Sequence, residues 1–400
     1  IAVKQDRANK ILSLIGHTTV NGYPGIKPEK RLNFRDLREP HVPEIEYGKQ
    51  HPRGTRDILL DKGPEGLANW ARKNKQLLIT DTTWRDAHQS LLATRVRTHD
   101  LDRIAEATAY LGGGLFSLEM WGGATYDVSM RFLTEDPWDR LERLRKKVPN
   151  ILFQMLLRGS NAVGYTNYPD NVVQEFTVKA AESGIDVFRI FDSLNWTKGM
   201  QVAMEAVRER TNSVCEAAMC YTGDILDPKR DKYPLNYYVE LAKELEKMGA
   251  HILAIKDMAG LLKPFAAEKL IKALKNEISI PIHLHTHDTS SNGGSMLMMA
   301  AQAGVDIVDV ALSSLSGLTA QPNLNALLAV LEGTIWDPQL DQAGLQLLAN
   351  YWETVRTYCQ CLEVELVEVP WDTSGRTSPP ALRELLDGET AALVAGYPNF

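Results

Sequence analysis

The sequence predicts an α/β protein built as an eightfold β/α (TIM) barrel, with an N-terminal linker before it and a C-terminal helical extension after it. Three observations carry this. From Leu77 onward, short apolar runs of strand length alternate with helical segments, the pattern of repeated βα units around a parallel sheet. The repeats occupy 77–333, close to the roughly 250 residues that such a barrel needs. An open doubly wound sheet would show a glycine-rich turn after its first strand, and none follows Leu77–Thr80.

The region 1–76 contains Pro24, Pro28, Pro40, Pro43, Pro52 and Pro64. These interrupt any long periodic pattern, so the region reads as a linker that wraps the domain. It opens in helical style at Gln5 to Leu14, without an initiating Met, so the chain reads as a piece of something longer. The expected strands are Leu77–Thr80, Leu115–Trp121, Ile151–Leu157, Asp186–Phe191, Val214–Tyr221, His251–Ile255, Pro281–His285 and Asp306–Leu312. Helices lie between them. Thr134, Glu135, Asp136 and Pro137 open one, with Leu141, Leu144 and Val148 on one face, and Gly249 closes another, following proline-first and glycine-last habits. The extension 334–363 carries a helix at Leu340–Glu363, and 364–400, with Pro370, Pro379, Pro380 and Pro398, has no place in the barrel.

With 44% hydrophobic and 24% charged residues the chain is globular rather than disordered. A net charge of -7, from 51 acidic and 44 basic residues, supplies no basic field, which argues against nucleic acid or an anionic membrane as the main partner. No apolar run reaches the roughly 18–20 residues of a membrane helix. Cys215, Cys220, Cys359 and Cys361 are too few and too clustered for a disulfide framework, so a reducing compartment is expected.

In such barrels the chemistry sits where the strands end at their C-terminal side. Polar residues gather there: Arg85, Asp86, His88 and Gln89 after the first strand, Arg158 after the third, Asp192 after the fourth, Lys256 and Asp257 at the sixth, and His285, His287 and Asp288 at the seventh. Alternate strand residues face one side, so His285 and His287 project together while Thr286 faces away. A His-x-His pair with Asp86 is a divalent-metal pattern; a satisfied core histidine is the competing reading. A buried lysine of lowered pKa at Lys256 can take up carbon dioxide as an anionic carbamate, or it can simply pair with Asp257. Arg158, followed by Gly159, suits bidentate capture of a carboxylate with Arg85 beside it, unless both make structural ion pairs. On pattern alone, Asp127, Tyr165 and Asp192 read as loop or capping residues.

The run Asp81-Thr-Thr-Trp-Arg-Asp-Ala-His-Gln89 resembles the first barrel strand and loop of the biotin-dependent carboxyltransferase family. The resemblance continues through Glu119–Thr125, Phe132–Trp138, Gln154–Gly159, Gly164–Asn171, Phe188–Asp192, Ala254–Gly260 and His283–Asp288, and so covers about 76–362. Gln5–Gly22 resembles the linker before this domain. The resemblance implies a ligase half-reaction in which the carboxyl group of carboxybiotin passes to pyruvate to give oxaloacetate. It implies a divalent metal, Mn²⁺ or Zn²⁺, held by Asp86, Lys256 as a carbamate, His285 and His287. It makes Arg85, Gln89 and Arg158 the pyruvate-binding residues, counts Arg85, Lys256, Asp127 and Tyr165 as catalytic, and sets Asp127 and Tyr165 in the carboxybiotin pocket. Arg7 matches an arginine associated with the acetyl-CoA activator. Neither a Met-Lys-Met biotin-attachment motif nor a biotin carboxylase domain occurs in the chain, so biotin carboxyl carrier and biotin carboxylase domains are implied partners, together with a homo-oligomer.

The sequence departs from the family at three places. No position matches the family's catalytic threonine, expected on a helical segment beyond the barrel; 364–400 follow no family pattern; and Ser291 stands where glycine is expected. Two rivals follow. Oxaloacetate decarboxylase α subunits and transcarboxylase subunits look similar over the barrel, although Gly164–Asn171 and Cys220–Asp227 favour the pyruvate-carboxylating branch. A catalytically incomplete barrel acting only in binding or assembly is the rival from another class.

Overall fold

The computed structural model describes residues 40–45 and 51–360. The chain divides into a unit at Ile1–Pro40 and a unit at His41–Phe400, and the second is described here. Arg7, Gln5–Gly22 and 364–400 lie outside the described residues.

Strands β1 (Leu78–Asp81), β2 (Ser117–Gly122), β3 (Leu152–Leu157), β4 (Val187–Phe191), β5 (Val214–Cys220), β6 (Ile252–Asp257), β7 (Ile282–Thr286) and β8 (Ile307–Val310) form a closed barrel in chain order. All neighbours are parallel, and β8 closes on β1 through Leu78↔Ile307 to Asp81↔Val310. The eightfold β/α barrel expected from the sequence is therefore the observed fold. Strands of a parallel barrel are covered on both faces and read as near-continuous apolar runs, and every residue of the eight strands is buried. Strand β6 reaches Asp257, which puts Lys256 inside the strand.

The barrel floor is apolar: Leu78, Phe116, Leu152, Val187, Val214, Ile252 and Ile307 meet Leu59, Leu67 and Ala71 of a helix at Thr55–Lys73. That helix corrects the reading of 1–76 as linker throughout. Gly63 takes φ 71 and Pro64 follows it, so two helical pieces join across a kink. Proline removes an N–H and interrupts the periodic pattern, while glycine adopts the left-handed turn without a steric penalty; the sequence signal of a break is a bend in one floor-plugging element.

Outer helices follow the strands, among them Thr98–Leu111, Pro137–Lys147, Asp170–Glu182, Thr197–Arg210, Leu235–Lys247, Pro264–Glu277 and Gly293–Gln302. Pro137 and Pro264 begin their helices, and Asp136 caps the first of these by accepting from the Trp138 N–H at 2.8 Å. The helix Gln342–Gln360 supplies the described part of the expected C-terminal extension. Among the described residues no helix is long and apolar enough to cross a membrane.

Candidate active site

The site assembles where the strands end. After β1, a single wide π-helical turn at Thr83–Ala87 lays Asp86 against the end of β7. Asp86 Oδ2 lies 3.5 Å from His285 Nε2 and 3.4 Å from His287 Nε2, and ligand atoms of the three residues all fall within 4.8 Å of one another. Among the described residues this is the one such group.

The other ring nitrogens test whether a cation fits. His287 Nδ1 lies 2.6 Å from the Thr319 carbonyl oxygen, and His285 Nδ1 lies 2.6 Å from Asp309 Oδ2. Both partners only accept, so each Nδ1 carries the proton and each Nε2 presents a lone pair. Two such lone pairs and a carboxylate converging on one point is a donor set for a divalent cation. Burial, followed by the Lys256 charge, holds the His285 ring well below the usual histidine range. Burial alone would raise the Asp86 carboxyl, but the Arg85 guanidinium beside it holds it well below the usual carboxylate range.

Lys256 stands beside this group, in register with Cys220 on β5 and His285 on β7. Its Nζ lies 3.5 Å from His285 Nε2 and 5.2 Å from the Phe191 ring centroid. Burial pushes its ammonium down to about 8, against the pull of Asp86 and with Arg85 and Arg189 adding to the fall. It does not pair with Asp257, whose carboxylate accepts from Leu261 N, Leu262 N and Thr286 Oγ1.

Arg85 is buried, and both of its terminal nitrogens are engaged: Nη1 donates to Asp86 Oδ1 at 2.8 Å and Gln89 Oε1 at 3.1 Å, and Nη2 pairs with Glu119. Gln89 Oε1 also accepts from Ala124 N at 3.0 Å. Gly123, at φ 54, lies so close that a Cβ would sit 2.9 Å from both Arg85 and Gln89. Arg158 is held differently. One nitrogen donates to the carbonyls of Val163 and Gly164 at 3.1 and 3.2 Å, and its guanidinium lies 5.2 Å from the Tyr165 ring centroid. It has no carboxylate partner among the described residues. Asp127 pairs with Arg131 at 3.0 Å and none of its hydrogen bonds or ion pairs reaches the cluster. Asp192 accepts from Leu194 N and Trp196 N, the loop role that its pattern suggested.

Comparison with known proteins places the chain among relatives of one kind. An HMGL-like family model matches residues 169–351. Pyruvate carboxylase of Bacillus subtilis is 60% identical over 355 residues, which are 89% of this chain and 31% of that protein. The human mitochondrial pyruvate carboxylase is 53% identical over 353 residues, 88% of this chain and 30% of that one. The solved carboxyl transferase domain of Rhizobium etli pyruvate carboxylase, with pyruvate, superposes with TM-score 0.82 at 52% identity, covering 91% of this chain and 61% of that chain. This chain belongs to the pyruvate carboxylase carboxyltransferase family. It spans about a third of the length of these curated relatives, 31% of the first.

In this member of the carboxyltransferase family the departure at Ser291 has a visible consequence: its φ is 56, a left-handed backbone that favours glycine. The site residues expected from the sequence leave out the layer beneath the site, although two motifs, Phe188–Asp192 and His283–Asp288, run through it. Arg189 pairs with Glu216 and Asp309, while His283 sits between the same two carboxylates, at 2.7 Å from Glu216 and 2.6 Å from Asp309. Those carboxylates raise His283 against the opposing effect of burial. The available signal was a lone charged residue in each of several apolar strands, such as Asp309 between Val308 and Val310; a strand buried on both faces keeps a charge only beside a partner.

Proposed function

We propose that this barrel performs carboxyl transfer between carboxybiotin and pyruvate. A methyl proton leaves pyruvate, the bond between the biotin nitrogen and the carboxyl carbon breaks, the carboxyl carbon bonds to the former methyl carbon, and the proton ends on biotin. The products are oxaloacetate and free biotin. The buried convergence of Asp86, His285 and His287 beside Lys256 is the observation that carries this reading.

Those three residues would hold a divalent ion, Mn²⁺ or Zn²⁺ rather than Mg²⁺ because two donors are imidazoles. Bound there, it supplies Lewis acidity toward a ketone oxygen. Lys256, its ammonium brought down to about 8, has a neutral amine within reach near neutral pH; addition of carbon dioxide with loss of a proton converts it to a carbamate, a further anionic donor. Arg158 holds the pyruvate carboxylate through its free edge, with Gln89 and Arg85 shaping the pocket from the other side. The exposed Tyr165 and the half-buried Asp127 border the approach of carboxybiotin. On resemblance alone, Arg7 is an acetyl-CoA contact, a carrier domain loaded by a biotin carboxylase domain brings the biotin, the protein is a homo-oligomer, and it works in the cytoplasm or the mitochondrial matrix.

Elemental analysis after metal-supplemented expression, combined with an oxaloacetate decarboxylation assay with and without free biotin, tests the reading. The expected result is about one divalent ion per chain and pyruvate release that biotin stimulates, with both lost in His287→Ala. Metal far below that level overturns it. Metal without biotin-stimulated turnover instead supports a barrel that only binds or assembles.

A further inference from the structure

All three candidate ligands are oriented from one stretch of chain that contributes no ligand. Asp309, on β8, accepts from His285 Nδ1. The loop between β8 and the helix Leu324–Leu331 supplies the other two contacts: the Thr319 carbonyl accepts from His287 Nδ1, and the Gln321 amide nitrogen donates to Asp86 Oδ2 at 2.9 Å. Gln321 is fully buried, and its amide oxygen accepts from Thr82 Oγ1 at 2.8 Å, so both ends of the amide are committed.

The stretch is itself fixed. Gly317 at φ 76 and Leu318 at φ 53 turn the loop back, and Gly317 N donates to the Gln321 carbonyl at 2.8 Å. Asp288 N donates to the Ala320 carbonyl at 2.8 Å, tying the loop to the segment after β7, and Thr319 Oγ1 donates to the Ser90 carbonyl at 3.1 Å, tying it to the segment after β1. Asp309 is braced from below by Arg189 and His283.

We propose that β8 and the loop behind it form a positioning frame, in which Asp309, the Thr319 carbonyl and Gln321 set the ring tautomers of His285 and His287 and the rotamer of Asp86. The inference rests on the reading of these three as metal ligands. A histidine whose Nδ1–H is engaged presents Nε2 to a cation at no cost in rearrangement, and loss of such an outer partner typically weakens metal affinity by about 10- to 100-fold.

The test uses the full chain, stripped by chelation and titrated with Co²⁺ followed by its visible absorption, with ¹⁵N imidazole shifts read on the metal-free protein. Asp309→Asn and Gln321→Ala are each expected to weaken Co²⁺ binding by about 10- to 100-fold and to change the absorption bands, and Asp309→Asn is expected to move the His285 tautomer signals. Far-UV circular dichroism reports that the barrel is intact; if Asp309→Asn does not fold, the loop variant Gln321→Ala decides alone. Affinity and bands equal to wild type overturn the frame, and so does a lowered Tm with unchanged Co²⁺ affinity, which marks a merely structural role. Wild-type protein that takes up no Co²⁺ overturns the ligand reading and the frame with it.

Discussion

Two guanidinium groups face the barrel mouth, and their partners assign them different work. Arg85 is buried with Asp86 and Glu119 on its two ends, so it holds the carboxylates of the site in place. Arg158 leans on two carbonyls and the Tyr165 ring, and its charge meets no carboxylate among the described residues. Lysine at this position keeps the charge and loses the planar two-pronged donor set. Arg158→Lys should therefore weaken pyruvate or oxaloacetate binding by about 1.5 to 3 kcal/mol in calorimetric titration; unchanged affinity would reduce Arg158 to a loop brace. The sequence made the candidate ligands legible at this scale because His285 and His287 alternate along one strand. It hid their orienting partners, since Asp309 lies 24 residues from His285 and Gln321 lies 235 residues from Asp86. Only the closed barrel, with its register known, brings those positions together.

At the scale of elements, Glu135 shows how neighbouring βα units are locked. Its carboxylate accepts from Thr98 N at 3.0 Å, Thr98 Oγ1 at 2.7 Å and Arg140 at 2.8 Å, joining the start of Thr98–Leu111 to Pro137–Lys147. Burial would raise its pKa, but these bonds and Arg97 hold it at about 2, below its ordinary 4.5. A depressed folded-state value means that the contribution to stability is complete above 4.5 and is lost as pH falls toward 2. The Tm gap between wild type and Glu135→Gln should be widest at neutral pH and close across that window; a gap that stays constant with pH would show that Glu135 acts by shape rather than charge. The sequence showed a helix start at Thr134–Pro137, yet not the reach of Glu135 back to Thr98. The floor helix was obscured by the opposite fault: Gly63-Pro64 reads locally as a break, whereas burial of Leu59 and Leu67 on either side of the kink carries the element through.

Along the barrel axis the interior changes character in steps: an apolar floor, a charged layer of Arg189, Glu216, His283 and Asp309, and the candidate metal site at the mouth. Barrel interiors are usually filled by branched apolar side chains, and burying ions is costly unless each finds its counterpart. Here the carboxylates of Glu216 and Asp309 are each shared between Arg189 and His283. The floor then carries the apolar packing, and the mouth carries the converging donors of the candidate metal site. This separation predicts a double dissociation. Leu67→Ala removes a fully buried side chain from the floor and should destabilise the fold by about 2 to 5 kcal/mol, read from the chemical-denaturation midpoint, while the folded protein keeps its metal. His287→Ala sits at the rim, and should empty the metal site while leaving the metal-free stability nearly unchanged, since strand-end ligands lie outside the packed layers. Loss of metal from folded Leu67→Ala would mean that strain passes through the charged layer, and that floor and mouth are one mechanical unit.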